Sequence, residues 1–123
     1  MTDSMSRYVF SVRFRLDPEG IRVEPSTFGT TLYREADPPS EEGWLFFRDN
    51  LWRGEANASG HLRELAEEAL GVPVEAVEYR RFETTAEGYA ALKEAIAADL
   101  GQFNADSTDE VLNKYFGSSI EVE

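Results

Sequence analysis

Tyr8, Phe10, Val12, Phe14 and Leu16 alternate with Val9, Ser11, Arg13 and Arg15, the period of two that a strand with one buried face requires. Asp17-Pro18-Glu19-Gly20 reads as a turn, with proline presetting φ and glycine tolerating φ above zero. Ile21 to Glu24 fits a short returning strand closed by Pro25. Phe28 to Ala36 is a second full strand, with Phe28, Thr30 and Leu32 alternating, and residues 37 to 43 form an exposed loop.

The stretch from Trp44 to Glu55 has two readings. As one strand, neither face is clean. With Asp49-Asn50 as a two-residue hairpin turn, Phe47 opposes Trp52 and Leu45 opposes Gly54 on an apolar face. The other face then carries Trp44, Phe46, Arg48, Leu51, Arg53 and Glu55. The hairpin sorts the residues better, so Trp52 is expected inside and Arg53 outside. A register slip of one residue would reverse every one of these assignments.

The second half turns to a helical period. Leu62, Leu65, Ala66, Ala69 and Leu70 share one helix face, with Asn57 or Ser59 as cap and Gly71 then Pro73 as the stop. Val74 to Thr84, with Val77, Tyr79 and Phe82, reads as a strand. Thr84 with Glu87 has the capping-box spacing that opens a helix bearing Tyr89, Leu92, Ile96, Leu100 and Phe103. Ser107 with Glu110 repeats that spacing before Val111, Leu112, Tyr115 and Phe116, and Ile120 with Val122 suit an edge strand. The expected fold is a single α+β domain over residues 1–123: a two-layer sandwich of a mostly antiparallel sheet with helices on one face. A ferredoxin-like arrangement is compatible with that order of elements.

Composition adds the environment. The chain of 123 residues has 41% hydrophobic residues, enough for one core, and no cysteine, which removes disulfides and thiolate chemistry. No apolar run reaches the roughly 20 residues of a membrane helix, and the N-terminus lacks the apolar segment of a signal peptide. A cytoplasmic protein is expected. Twenty-four acids against twelve bases give a formal net charge of −12, which repels nucleic acid at long range. Only Lys93 and Lys114 are lysines. Near-molar salt shortens the Debye length to roughly 3 Å and makes such an acidic shell tolerable, so a salt-adapted cytoplasm is the expected setting. Residues 1 to 57 hold ten acids and seven bases, residues 58 to 123 fourteen acids and five bases, so the acidic shell belongs to the second half.

The tripeptide Leu51-Trp52-Arg53, the N-terminal block from Tyr8 to Pro18 and the C-terminal block from Phe103 to Ile120 resemble the LWR-salt proteins of haloarchaea. The resemblance covers nearly the whole chain. It implies a halophilic cytoplasm, in step with the charge, and assigns no activity to any position.

Chemical signatures are sparse. His61 is the single histidine, no phosphate-cradling glycine loop is present, and the acid clusters at Glu64, Glu67, Glu68 and at Asp106, Asp109, Glu110 lack calcium-loop spacing. His61 with Glu64 is better read as a solvated first turn than as a metal site, and Asn57-Ala58-Ser59 as a cap rather than a glycosylation sequon. The residues imply no cofactor, and catalysis is the least supported class. Arginine beside aromatic rings carries more content: Arg13 and Arg15 on the first strand, with Trp44, Phe46, Arg48 and Arg53 in the hairpin model, form the candidate binding face. Homo-oligomerisation or protein docking is the first expectation for it, because interfaces favour Trp and Arg. Nucleic acid or an anionic small ligand is the second. Pairing of the arginines with Glu24, Glu35 and Glu55 across strands is the bland alternative.

Overall fold

A computed structural model describes residues 6–16, 20, 24, 27–56 and 60–123. Its elements follow the periodicity closely: β1 (Ser6–Arg15), β2 (Thr27–Glu35), α1 (Phe46–Asn50), β3 (Leu51–Trp52), β4 (Glu55–Ala56), α2 (His61–Leu70), β5 (Val74–Thr84), α3 (Ala86–Ala97), α4 (Thr108–Phe116) and β6 (Ile120–Val122). Short 3-10 turns, Glu42–Leu45 and Leu100–Phe103, precede α1 and α4. Four strands form one sheet in the order β2-β1-β5-β6, antiparallel except for the parallel β5-β6 pair, and β3-β4 is a separate small hairpin. This is an α+β fold, and β1 and β2 lie side by side. Ferredoxin-like folds interleave their strands differently, so that compatibility does not extend to the strand order. The expected turn residues 17–19, most of the Ile21–Glu24 strand, and Asn57 and Ser59 fall outside the described residues.

One side of the sheet is buried. Tyr8, Phe10 and Val12 of β1 are 2 to 3% exposed and share a core with Tyr79 and Phe82 of β5, Leu62 and Ala66 of α2, Leu92 and Ile96 of α3, and Val111, Leu112, Tyr115 and Phe116 of α4. A chain of rings ties the layers together: Tyr8 to Phe82 at 5.0 Å, Phe82 to Phe116 at 5.0 Å, Phe116 to Phe47 at 4.9 Å and Phe47 to Phe103 at 5.8 Å between centroids. Such tilted and offset pairs are each worth about 1 kcal/mol beyond the area they bury. Burial raises the Tyr8 and Tyr79 phenols well above their ordinary range; Tyr79 keeps a partner in Ser119, 2.8 Å away.

The capping boxes behave unequally. Ser107 Oγ accepts from the Glu110 amide at 3.2 Å, the cap that the spacing implies, while the Glu110 carboxylate reaches one residue past the cap and accepts from the Asp106 amide at 2.7 Å. α3 starts one residue later than expected. Its cap is Thr85, whose Oγ1 accepts from the Gly88 amide at 3.0 Å, because Thr84 is still in β5 opposite Ser6.

The main departure lies between residues 44 and 56. Asp49-Asn50 is the end of α1, not a hairpin turn. Trp44, Phe47 and Leu51 are three and four residues apart, so a helical turn, not a strand, brings them to one side; Phe47 and Leu51 are 1% and 2% exposed. The hairpin turns at Arg53-Gly54, both with positive φ (53° and 81°), pairing Trp52 with Glu55 and Leu51 with Ala56. Phe47 does not oppose Trp52, nor Leu45 Gly54. Trp52 is 46% exposed rather than inward, resting edge-on against Tyr115 with ring centroids 6.1 Å apart.

Candidate interaction surface

The Leu51-Trp52-Arg53-Gly54 hairpin acts on a helix end. The last four carbonyls of a helix have no partner inside it. In α4 each finds one: Asn113 accepts from the Gly117 amide at 3.2 Å, Lys114 from Arg53 at 2.8 Å, Tyr115 from Gly54 at 2.9 Å and Phe116 from Ser119 at 3.2 Å. The hairpin supplies the two middle donors. A Cβ on Gly54 would stand 2.8 Å from the Phe116 carbonyl oxygen, so the close approach demands glycine. Leu51 anchors the corner in the core, and Trp52 lies beside Arg53 and Lys114, whose charged groups are 5.7 and 6.0 Å from its rings. The tripeptide is therefore a clamp between the hairpin and α4.

The candidate binding residues are divided by the sheet. Trp44 packs on Phe47 and Phe103, both at 6.1 Å, and Phe46 on Tyr8 at 4.7 Å, so both rings lie on the helix side. Arg48 bonds Asp49 at 3.2 Å and Gln102 at 3.1 Å on that side too, and Arg53 sits in the hairpin turn. Arg13 and Arg15 point to the opposite side. The six residues do not form one face, because the misplaced turn had carried four of them to the wrong layer.

The side of the sheet away from the helices carries a different set. Alternation along β1 puts Arg7, Val9, Ser11, Arg13 and Arg15 there, and Tyr33 lies beside Val9 on β2. Val9 is outside the main core yet only 1% exposed; Tyr33 and Arg81 flank it. In β5 the register slips between its pairings with Val9 and Phe10, leaving Arg80 as an extra residue. The bulge turns two consecutive arginines to one face: Arg80 Nε donates to Ser11 at 2.9 Å, and Arg81 lies opposite Val9. Among the described residues no element covers this face. Arg7, Arg13, Arg80 and Arg81 keep 50, 63, 54 and 36% of their side-chain surface exposed.

These arginines are mostly engaged, though with other acids than Glu24, Glu35 or Glu55. Glu83 accepts from Arg7 Nε at 2.7 Å and from Arg81 Nε at 2.6 Å, Arg81 also lies 3.5 Å from Glu121, Arg13 meets Glu75 at 3.6 Å and Arg80 meets Glu78 at 3.1 Å. The two arginine hydrogen bonds hold the Glu83 carboxyl below the ordinary carboxylate range. Arg7 also lies over the Tyr33 ring at 4.3 Å. Arg7, Tyr33, Arg80, Arg81 and Glu83 were missed from the sequence. The three-residue step from Tyr79 to Phe82, where a plain strand steps by two, was the available sign of the bulge.

On the helix side a cleft of about 320 Å³ is lined by Tyr8, Trp44, Phe82 and Leu92 together with Asp37 and Glu41, and no arginine, lysine or histidine among the described residues lines it. His61 Nδ1 is 2.8 Å from Asn50 Oδ1, and Asn50 in turn donates to the Phe46 carbonyl at 3.1 Å, so the histidine braces α1 against α2. Among the described residues no group of three or more His, Cys, Asp or Glu side chains gathers as a metal ion requires, and no helix is long and apolar enough to cross a membrane. No curated protein and no solved structure matches the chain. The clamp made by Leu51-Trp52-Arg53 and the α4 end joins two of the three sequence blocks that carried the resemblance, and the LWR-salt protein family model matches residues 4–123: the chain belongs to that family.

Proposed function

We propose that this chain is a small non-catalytic interaction domain of a salt-adapted cytoplasm, self-associating through its sheet. The observation that carries the reading is the sheet face that no element among the described residues covers. It gathers Arg7, Arg13, Arg15, Arg80 and Arg81, five of the twelve basic residues, in a chain of net charge −12. Glu75, Glu78, Glu83 and Glu121 bring that face close to balance, whereas α2, α3 and α4 present Glu64, Glu68, Glu87, Glu94, Asp109 and Glu110. A like-charged copy meets the least repulsion at the sheet, and molar salt screens the remainder. The guanidinium groups and carboxylates alternate, so the face offers a partner both signs of charge.

The second expectation, nucleic acid or an anionic ligand, needs stacking rings beside arginines. Trp44 and Phe46 are on the other side of the sheet and Tyr33 alone remains, with Arg7 already over it. Sedimentation velocity in molar potassium chloride tests the proposal: association of the wild-type chain supports it, and a strict monomer at every concentration sinks it.

A further inference from the structure

From the geometry of β2 we infer that this strand pairs with β2 of a second copy, antiparallel and centred on Thr31, joining the two four-stranded sheets into one. The inference rests on the self-association reading and specifies the mating element.

β2 is at the edge of the sheet, and among the described residues no strand pairs with its outer side. Gly29, Thr30, Thr31, Tyr33, Arg34 and Glu35 are exposed. The Ala36 amide donates to the Ser6 carbonyl, and the β1-β2 register runs without a shift from Arg7↔Glu35 to Arg15↔Thr27. Hydrogen-bonded and non-bonded pairs alternate in an antiparallel ladder. Phe28, Thr30, Leu32 and Arg34 therefore turn their backbone groups toward β1, while Thr27, Gly29, Thr31, Tyr33 and Glu35 turn theirs outward.

Edge strands are usually blunted by proline, lysine, a bulge or shortness. β2 runs for nine residues with none of these: TFGTTLYRE contains no proline and no lysine, and its pairing shows no irregularity. Pairing centred on Thr31 sets Thr27 against Glu35, Gly29 against Tyr33 and Thr31 against itself, so each outward-facing residue meets another with free amide and carbonyl groups. The side chains agree with that register. Tyr33 stands over the site where glycine leaves room, and aromatic rings opposite edge glycines are a stabilising arrangement in sheets. On the helix side Arg34 meets Phe28, and no acid faces an acid. The two-fold axis stands perpendicular to the sheet, so both arginine-bearing faces lie on the same side and become continuous.

The test is sedimentation in molar potassium chloride of the wild type, Thr31→Pro, Thr31→Lys and Arg13→Glu, with circular dichroism to verify folding. Thr31→Pro removes an outward amide and spares the β1 ladder; Thr31→Lys places two like charges at the axis and decides the matter if the proline variant does not fold. The expected result is a wild-type species of twice 13.9 kDa, loss of that species in both Thr31 variants, and its retention in Arg13→Glu. Hydrogen exchange at Gly29, Thr31 and Tyr33 should slow as protein concentration rises. A dimer that survives both Thr31 variants but is broken by Arg13→Glu overturns the edge inference and leaves face-mediated association standing. A wild-type monomer overturns both.

Discussion

Replacing Gly54 by alanine measures how tightly the hairpin clamps α4. Gly54 has φ 81°, and its new Cβ would stand 2.8 Å from the Phe116 carbonyl oxygen. Carbon-to-oxygen contacts in sheets and helix interfaces sit near 3.3–3.6 Å, so the hairpin must retreat by roughly 0.5 Å. That retreat stretches the Arg53-to-Lys114 and Gly54-to-Tyr115 hydrogen bonds, now 2.8 and 2.9 Å. A left-handed alanine costs about 1–2 kcal/mol and each weakened hydrogen bond up to about 1 kcal/mol, for a total near 3 kcal/mol. Gly71→Ala is the control. Gly71 has φ 71° with nothing within 4 Å of a built Cβ, so it incurs only the conformational cost of about 1–2 kcal/mol. Urea unfolding at fixed salt, followed by tryptophan emission, reads both midpoints. Equal midpoint shifts at unchanged m-value would mean that the contact is not tight, and the clamp would be discarded.

Leu51→Ala should destabilise by about 2–5 kcal/mol because Leu51 is 2% exposed, and Trp52→Ala by about 1 kcal/mol because Trp52 is 46% exposed; urea midpoints in the reverse order would contradict the described hairpin. Glu83 has a carboxyl held below its ordinary pKa by Arg81 and Arg7, so the unfolded chain binds the proton first as pH falls. Its contribution is present above the unfolded carboxylate pKa of about 4.3 and is lost as pH drops through the folded value. Glu83→Gln should therefore lower stability at neutral pH and flatten the acid limb of a stability-against-pH curve; a parallel curve would refute the pairing. Dialysis from multimolar to low salt should erode the circular dichroism signal of a chain with net charge −12, and full retention would count against salt adaptation.

Where one rule governed the local pattern, the sequence was readable. β1, β2, α2, α4 and β6 emerge from simple periods of two or near 3.6, and the Ser107 cap from its spacing. The reading broke at Trp44-Leu45-Phe46-Phe47, an apolar run too short for periodicity to separate helix from strand. Trp44, Phe47 and Leu51 at helical spacing, and Gly54 as the residue best suited to positive φ, were the signals that pointed the other way. That one error displaced Trp44, Phe46, Arg48 and Arg53 onto a face they do not occupy. Arg7 needed only one more step of the β1 alternation, whereas Arg80 beside Arg81 required the bulge.

Sequence by itself determined the class of fold, the acidic balance, the buried side of β1, α2 and α4 and the family resemblance, since these depend on period and composition. Tertiary structure decided what Leu51-Trp52-Arg53-Gly54 is for. Its two amides meet the Lys114 and Tyr115 carbonyls some sixty residues away, and no local pattern encodes which distant helix end will lack partners. The same holds for the arginine face and the β2 edge: strand order and bulge position arise from how the layers pack, and the layers are assembled from segments far apart in the chain.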